Sequence, residues 1–268
     1  EYTSEVDFKC FAAHNNTIFT ARERQKTDLV KHQKMDPEKR WGELQKFFND
    51  IWSESRNRVR IWTFHSGDEV KWFVDFVYAM ASCNVVTIGV GRDVTAEKLI
   101  SLRYPQCHFL GADPDGQANQ QLYLNIPNSR FVATAVAGHS GRFTGSFLQP
   151  SGNYKHETRN HMGFADFLRE YNGDKLIDLL LMDNEGGEFT VFDVMNDKAD
   201  SLPTICQMNV EIHHPTDFNI SFAKFFEGFD RFILSNKYIA LNFVGAYAHR
   251  VHFINVVDEA CLSIILVK

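Results

Sequence analysis

At 268 residues and 44% hydrophobic content, the chain allows one large α/β domain with extensions, or two small domains. A net charge of −6 argues against a general nucleic-acid surface, and no apolar run approaches the ~20 residues that span a bilayer. The 24 Phe are a heavy core load, and none of the five cysteines falls in a CxxC pair, which disfavours a zinc site.

The chain begins at Glu1 rather than Met, from which loss of a signal or anchor segment is expected. Residues 1–34 are polar and weakly periodic. Trp41, Leu44, Phe47, Phe48 and Trp52 fall at helical spacing and predict an amphipathic helix within 36–58. Residues 1–60 are therefore expected to form a leader and a helix packed on a main domain, 61–268. Ser66 and Glu69 read as a capping box ahead of a helix over 70–81.

An alternation follows. Strands are predicted at 84–90, 107–113, 130–138, 176–183 and 204–213, with a small one at 141–148. Helices are predicted at 93–102, 116–123, 163–171, 188–196 and 221–229. The tail reads as four strands, 231–235, 239–244, 251–257 and 261–268. Such an order implies an α/β fold, a mostly parallel sheet with helices on both faces and antiparallel edge strands near the C-terminus. Cys83, Cys107, Cys206 and Cys261 sit in or beside apolar runs and read as small buried thiols. Asn15 and Asn219 head glycosylation triplets, which matter only in a secretory compartment.

Ligands of such sheets sit beyond the C-terminal strand ends. The first end, "TIGVGRD", offers Gly89 and Gly91 for a tight turn and close approach of a ligand, although Val94 stands where a dinucleotide fingerprint needs a third glycine. The second, "GADPD", places Asp113, followed by Pro114, 22 residues after Gly91, the spacing at which an acid takes both hydroxyls of a ribose. The third, "ATAVAG" around Ala135, suits either a flat adenine face or packing. The fourth, "LLLMDNEGGEF", runs a buried strand into Asp183, Glu185 and Glu188. Glu211 and His213, two apart on the next strand, are expected to share a face, with His213 the candidate base near neutral pH. Asp183, Glu185, Glu211 and His213 together are also a donor set for a divalent metal. The polar stretches 65–69 and 154–161 are either solvated loops or walls of an acceptor pocket.

"LLLMDNEGGEFTVFDVM" resembles the FkbM-type family of S-adenosylmethionine-dependent methyltransferases, whose strand ends Lys-Ile-Asp-x-Glu-Gly-x-Glu. Asp183, Glu185, Gly186 and Glu188 match it, "NVEIHHP" resembles the family's next strand end, and "HMGFADFL" resembles the segment before the fourth strand. The likeness covers roughly residues 80–215. It departs from the family at Leu181, where the lysine stands, and at Thr87, where an acid usually helps hold the methionine part of the cofactor.

The resemblance implies a Rossmann-like class I methyltransferase using S-adenosyl-L-methionine, with Gly89, Gly91, Asp113, Pro114, Ala135 and Asp183 at the cofactor. It implies O-methylation, the acceptor being a sugar hydroxyl on a glycan; the net charge and the lack of a long apolar run lead to the expectation of no nucleic-acid partner and no membrane contact. Catalysis falls to Asp183, His213, Glu185 and Glu211. The sequons and missing start lean toward the Golgi lumen. A cytosolic enzyme acting on a lipid or small metabolite, a non-catalytic binding module and a nicotinamide oxidoreductase remain as alternatives, and oligomeric state stays open.

Overall fold

The computed structural model describes residues 20–52, 61–66, 69–75, 82–149, 153–235 and 237–265. Two helices lead, α1 (20–32) and α2 (Pro37–Trp52), the first lying in a stretch too polar to show its period. Arg40 of α2 makes a buried two-pronged ion pair with Asp230 (2.7 and 3.1 Å) and lies over the Phe226 ring, which anchors the helix to the main body. A hairpin follows, β1 (Ile61–Ser66) and β2 (Glu69–Val74).

The alternating part then runs β3 (Cys83–Ile88), α3 (Thr95–Arg103), β4 (Cys107–Ala112), α4 (Gly116–Leu124), β5 (Ser129–Val132), β6 (Ala135–Ala137), β7 (Gly141–Leu148), β8 (Tyr154–Gly163) and α5 (Phe164–Phe167). A π-turn extends α5 to Asn172. The remainder is β9 (Leu179–Met182), α6 (Glu188–Asp197), β10 (Gln207–Ile212), α7 (Phe222–Leu234), β11 (Tyr238–Val244), β12 (His249–Asn255) and α8 (Glu259–Ile265).

Seven strands form the main sheet in the order β11-β12-β10-β9-β3-β4-β5. Neighbours from β10 through β9, β3 and β4 to β5 are parallel, and β12 runs antiparallel to both β10 and β11. The apolar run of β9 explains itself here. Leu180 and Met182 enter one core cluster with Phe192 and Phe229, while Leu179 and Leu181 enter the opposite one with Phe73 and Tyr123. A strand covered on both faces has no polar side to alternate with.

Several expectations change. The helix predicted over 70–81 is strand through Val74, and 76–81 lies outside the described residues. The reason is a pair of side-chain amides on β10. Asn209 accepts from the Trp72 N–H (2.7 Å) and donates to its carbonyl (2.6 Å), and Gln207 does the same for Val74 (2.7 and 3.1 Å). These amides satisfy the backbone of β2 as a neighbouring strand would, and Ser66 pairs with Glu69 across the hairpin instead of capping a helix.

The strand expected over 130–138 breaks, β5 staying in the main sheet and β6 joining a three-stranded sheet of order β6-β8-β7. The polar stretch 154–161 is thus a strand. Residues 231–234 extend α7, because Phe225, Phe229, Phe232 and Ile233 make one buried stripe at helical spacing. The last predicted strand begins within α8.

The cysteines are paired rather than free. Cys83 and Cys107 face each other in the register of β3 and β4, and Cys206 before β10 is bonded to Cys261 of α8. The second bridge closes 55 residues of chain, a constraint on the unfolded state worth about 4 kcal/mol at most in the chain-entropy account. Cys206→Ser with Cys261→Ser should lower the unfolding free energy in urea by a large part of that figure. An unchanged denaturation midpoint would show that the bridge contributes nothing.

Asp178, 1% exposed before β9, accepts the Asn84 N–H (2.7 Å) with one oxygen and buries the other without a partner. Burial pushes its carboxyl from 3.8 up to about 6, against the Asn84 hydrogen bond. A raised folded-state pKa means that the fold disfavours the ionised form, so stability falls as pH rises from about 4 to about 6 and then levels. Asp178→Asn should remove this loss, gaining up to about 3 kcal/mol over wild type above pH 6 and nothing below pH 4. Parallel melting curves of the two proteins across that range would show that the carboxyl titrates normally.

Candidate active site

From β3 the chain builds the sheet outward through β4 to β5, then returns to place β9 on the other side of β3. The reversal opens a crevice at the C-terminal ends of β3 and β9. There the strands touch: the Asp183 N–H donates to the Ile88 carbonyl (2.9 Å), and a Cβ on Gly89 (φ 81°) would lie 1.6 Å from the Asp183 carbonyl oxygen. Glycine is obligatory at 89 because β9 ends against it. Gly91 (φ 59°) is different, since a Cβ there would meet nothing within 4 Å.

A cavity of about 270 Å³ fills the crevice, and Gly89, Gly91, Asp113, Pro114, Ala135, Asp183 and Glu185 all line it. The structure thus brings together every residue read as cofactor-binding. Asp113 is buried, and its carboxylate accepts the N–H groups of Val90 (2.9 Å), Gly91 (3.3 Å) and Asp115 (2.7 Å). It therefore fixes the glycine turn as well as facing the cavity. Arg92, which sequence reading passed over, joins the wall and reaches Asp115 (3.3 Å).

The other end of the cavity is acidic. Glu188 opens α6, where its charge favours the helix N-terminus, but its larger role is across the sheet end. It is 0% exposed, and its carboxylate accepts from the Gly186 N–H (2.9 Å), the His213 N–H (3.0 Å) and His213 Nδ1 (3.0 Å). The ring is thereby aimed so that Nε2 lies 3.5 Å from Asp183 Oδ1 and 3.4 Å from Glu185 Oε2. Among the described residues, Asp183, Glu185 and His213 are the cluster whose donor atoms are spaced to hold a metal ion.

Burial works against a charged imidazole, but Glu188, by charge and hydrogen bond, and then Asp183 and Glu185 outweigh it and push His213 up to about 10. So surrounded, the ring favours its protonated form at neutral pH, which lacks the lone pair of the free base read from the sequence. Burial raises the Asp183 carboxyl, opposed by His213 and Lys71 and reinforced by Glu69 and Glu188.

Glu211 pairs with Arg250 of β12 (3.0 Å) and lines a narrow cleft with Glu69 and Lys71 of β2, a cleft that Asp183 also lines. Burial and then the Asp183 charge push it up to about 8, against Arg250.

Both departures from the family pattern have local explanations. Leu181 is buried among apolar side chains, and a cation reaches Asp183 from β2 instead, as Lys71. Thr87 donates to the buried Glu97 (2.7 Å) and accepts from Tyr123 (3.1 Å), so a carboxylate from α3 stands beside the position where the strand carries none.

The small sheet roofs the cavity. Phe147, Arg159 and His161 line it, with the Arg159 guanidinium 4.2 Å over the Phe147 ring and His161 edge-on to Phe143 at 5.6 Å. The stretch 154–161 is thus a wall of the cavity, and its i, i+2 spacing at Arg159 and His161 was the available sign of a strand.

Comparison with curated proteins gives no significant sequence match. Solved structures that are similar include a variant of the 16S rRNA (adenine(1408)-N(1))-methyltransferase from Catenulisporales acidiphilia (10% identity, TM-score 0.37, covering 84% of this chain and 94% of that one). Another is an O-methyltransferase family 2 protein from Planctomyces limnophilus DSM 3776 (10% identity, TM-score 0.34, 65% of this chain and 50% of that one). The fold is the Rossmann-like one of class I methyltransferases, seven strands with β12 alone reversed. The family model for the methyltransferase FkbM domain matches residues 66–240, which take in the glycine turn, the acidic turn and the end of β10, and the chain belongs to that family.

Proposed function

We propose that the protein is an S-adenosylmethionine-dependent O-methyltransferase acting on a sugar hydroxyl of a glycan. The observation that carries this reading is that one cavity joins the open glycine turn to the Asp183–Glu185 turn. The residues suit the cofactor. Gly91 presents bare backbone to the cavity, Ala135 leaves room for a flat base, and Asp113 Oδ1, which accepts a single N–H, keeps a lone pair for a ribose hydroxyl. The cofactor supplies an electrophilic methyl on a sulfonium.

An acceptor hydroxyl set beside Asp183 would pass its proton to that carboxylate as its oxygen took the methyl group that the bound cofactor would supply. A carboxyl raised by burial is a better proton acceptor than an ordinary aspartate. The Glu188–His213 hydrogen bonds keep the acidic turn in place, and alignment of this kind is worth roughly 7–11 kcal/mol when complete. Aromatic faces with polar edges on β7 and β8 suit the C–H faces and hydroxyls of a sugar. The two disulfides support an oxidising compartment such as the Golgi lumen, and the exposed Asn219 sequon fits it. No described helix is long and apolar enough to cross a membrane.

Calorimetry should detect S-adenosylmethionine binding to wild type, weakened by about 1.5–3 kcal/mol in Asp113→Asn. Absence of binding at millimolar cofactor would leave a non-catalytic module on a methyltransferase fold. Asp183→Asn should melt within about 0.5 kcal/mol of wild type, bind cofactor nearly as well, and transfer methyl groups to glycans at least about 10²-fold more slowly. A normal rate in that variant would move the proton acceptor away from Asp183.

A further inference from the structure

We propose that Asp183, Glu185 and His213 bind one divalent cation of the Mn²⁺ type, with Glu188 as the outer group that orients the imidazole. The cation's role, though not its binding, rests on the methyl-transfer reading above.

The three donor atoms lie within 4.8 Å of one another. The separations from His213 Nε2, 3.5 Å to Asp183 and 3.4 Å to Glu185, are long for N–H···O hydrogen bonds, which centre at about 2.9–3.0 Å. They fit neighbouring positions around one ion, since ligands about 2.1–2.2 Å from it stand about 3.0 Å apart in an octahedral site and up to about 3.6 Å apart in a tetrahedral one. The ring cannot turn away, because Nδ1 is committed to the fully buried Glu188. A histidine that gives its other ring N–H to a carboxylate is the usual arrangement of a metal ligand.

Asp183 Oδ1 adds a second sign, being a buried oxygen that makes no hydrogen bond, with His213 Nε2 standing 3.5 Å from it. The backbone adds a third. Glu185 is held at φ 53°, a conformation unfavourable for a side chain of its kind, and in this conformation it turns toward Nε2. Two carboxylates and an imidazole, with no thiolate, make a donor set for Mn²⁺-like ions rather than soft ones. Asp183 and Glu185 also line the cavity, so open coordination positions face the acceptor. A divalent ion there lowers the pKa of a hydroxyl set beside it.

The test is a titration of the full chain, stripped by dialysis against chelator, with Mn²⁺, the electron paramagnetic resonance signal of the free ion reporting binding. One ion per chain should bind to wild type. Glu185→Gln and His213→Ala should weaken binding at least about 100-fold, and Glu188→Gln about 10–100-fold. Thermal melts establish which variants fold. Should the two buried changes fail, Glu185→Gln, on a half-exposed turn, decides alone.

A wild type that leaves millimolar Mn²⁺ free, or a Glu185→Gln protein that binds as tightly as wild type, overturns the site. His213 then carries a second proton where the cation was placed. Titration of the same preparation with S-adenosylmethionine separates the two readings. Cofactor binding without Mn²⁺ binding removes the cation site alone. Mn²⁺ binding without cofactor binding keeps the site and removes the methyl-transfer reading.

Discussion

The Glu188 carboxylate is the group on which the rest of the site depends. A fully buried carboxylate is costly unless hydrogen bonds replace its water. Glu188 takes three, from the turn after β9, from the backbone past β10 and from the His213 ring. Those bonds clamp two strand ends together and fix the direction of the only imidazole that meets Asp183 among the described residues. They also let Gly186 turn at φ 97°, with Phe218 packed where a side chain would go. Removing one partner of such a buried charge typically costs 3–5 kcal/mol, about what separates an ordered turn from a loose one.

Much of the sheet was legible because its periods are strong. β3, β4, β9 and β10 are apolar runs ending in turn residues, and the helices between them follow from spacing alone. The acidic turn was legible as well, since carboxylates rarely follow a buried strand without cause. The β1–β2 hairpin was not. Ser66 and Glu69 satisfy a helix-start pattern locally, and the strand exists because Gln207 and Asn209, more than 130 residues away, offer amides to its backbone. No local pattern carries that information. The disulfides hid for a similar reason, as cysteines in apolar strands look the same free or paired until the register sets Cys83 against Cys107.

Roles within the site were less legible than membership. Glu211 and His213 are two apart and both feel the Asp183 charge, but their partners differ. Arg250 from the tail pairs with Glu211, and Glu188 pairs with His213. The helix-start part of Glu188's role is local, whereas its bonds to His213 span 25 residues. Lys71 belongs to the hairpin that was read as helix, so the cation near Asp183 was invisible for the same reason as the strand that carries it.

The charge balance of the acidic end constrains how such a site can work. Asp183, Glu185 and Glu188 surround a single imidazole, and Lys71 is shared with Glu69. Excess negative charge beside a sulfonium stabilises the donor before reaction, when its charge is whole, more than in the transition state, where that charge is fading. Binding spent in this way lowers the affinity threshold without raising the rate. Positive charge held among the carboxylates reverses the bias, since it offsets their pull on the donor and favours an oxygen that is gaining negative character. A proton on His213 supplies one unit of it, and a divalent ion in the same place supplies two. The geometry that Glu188 imposes leaves room for either.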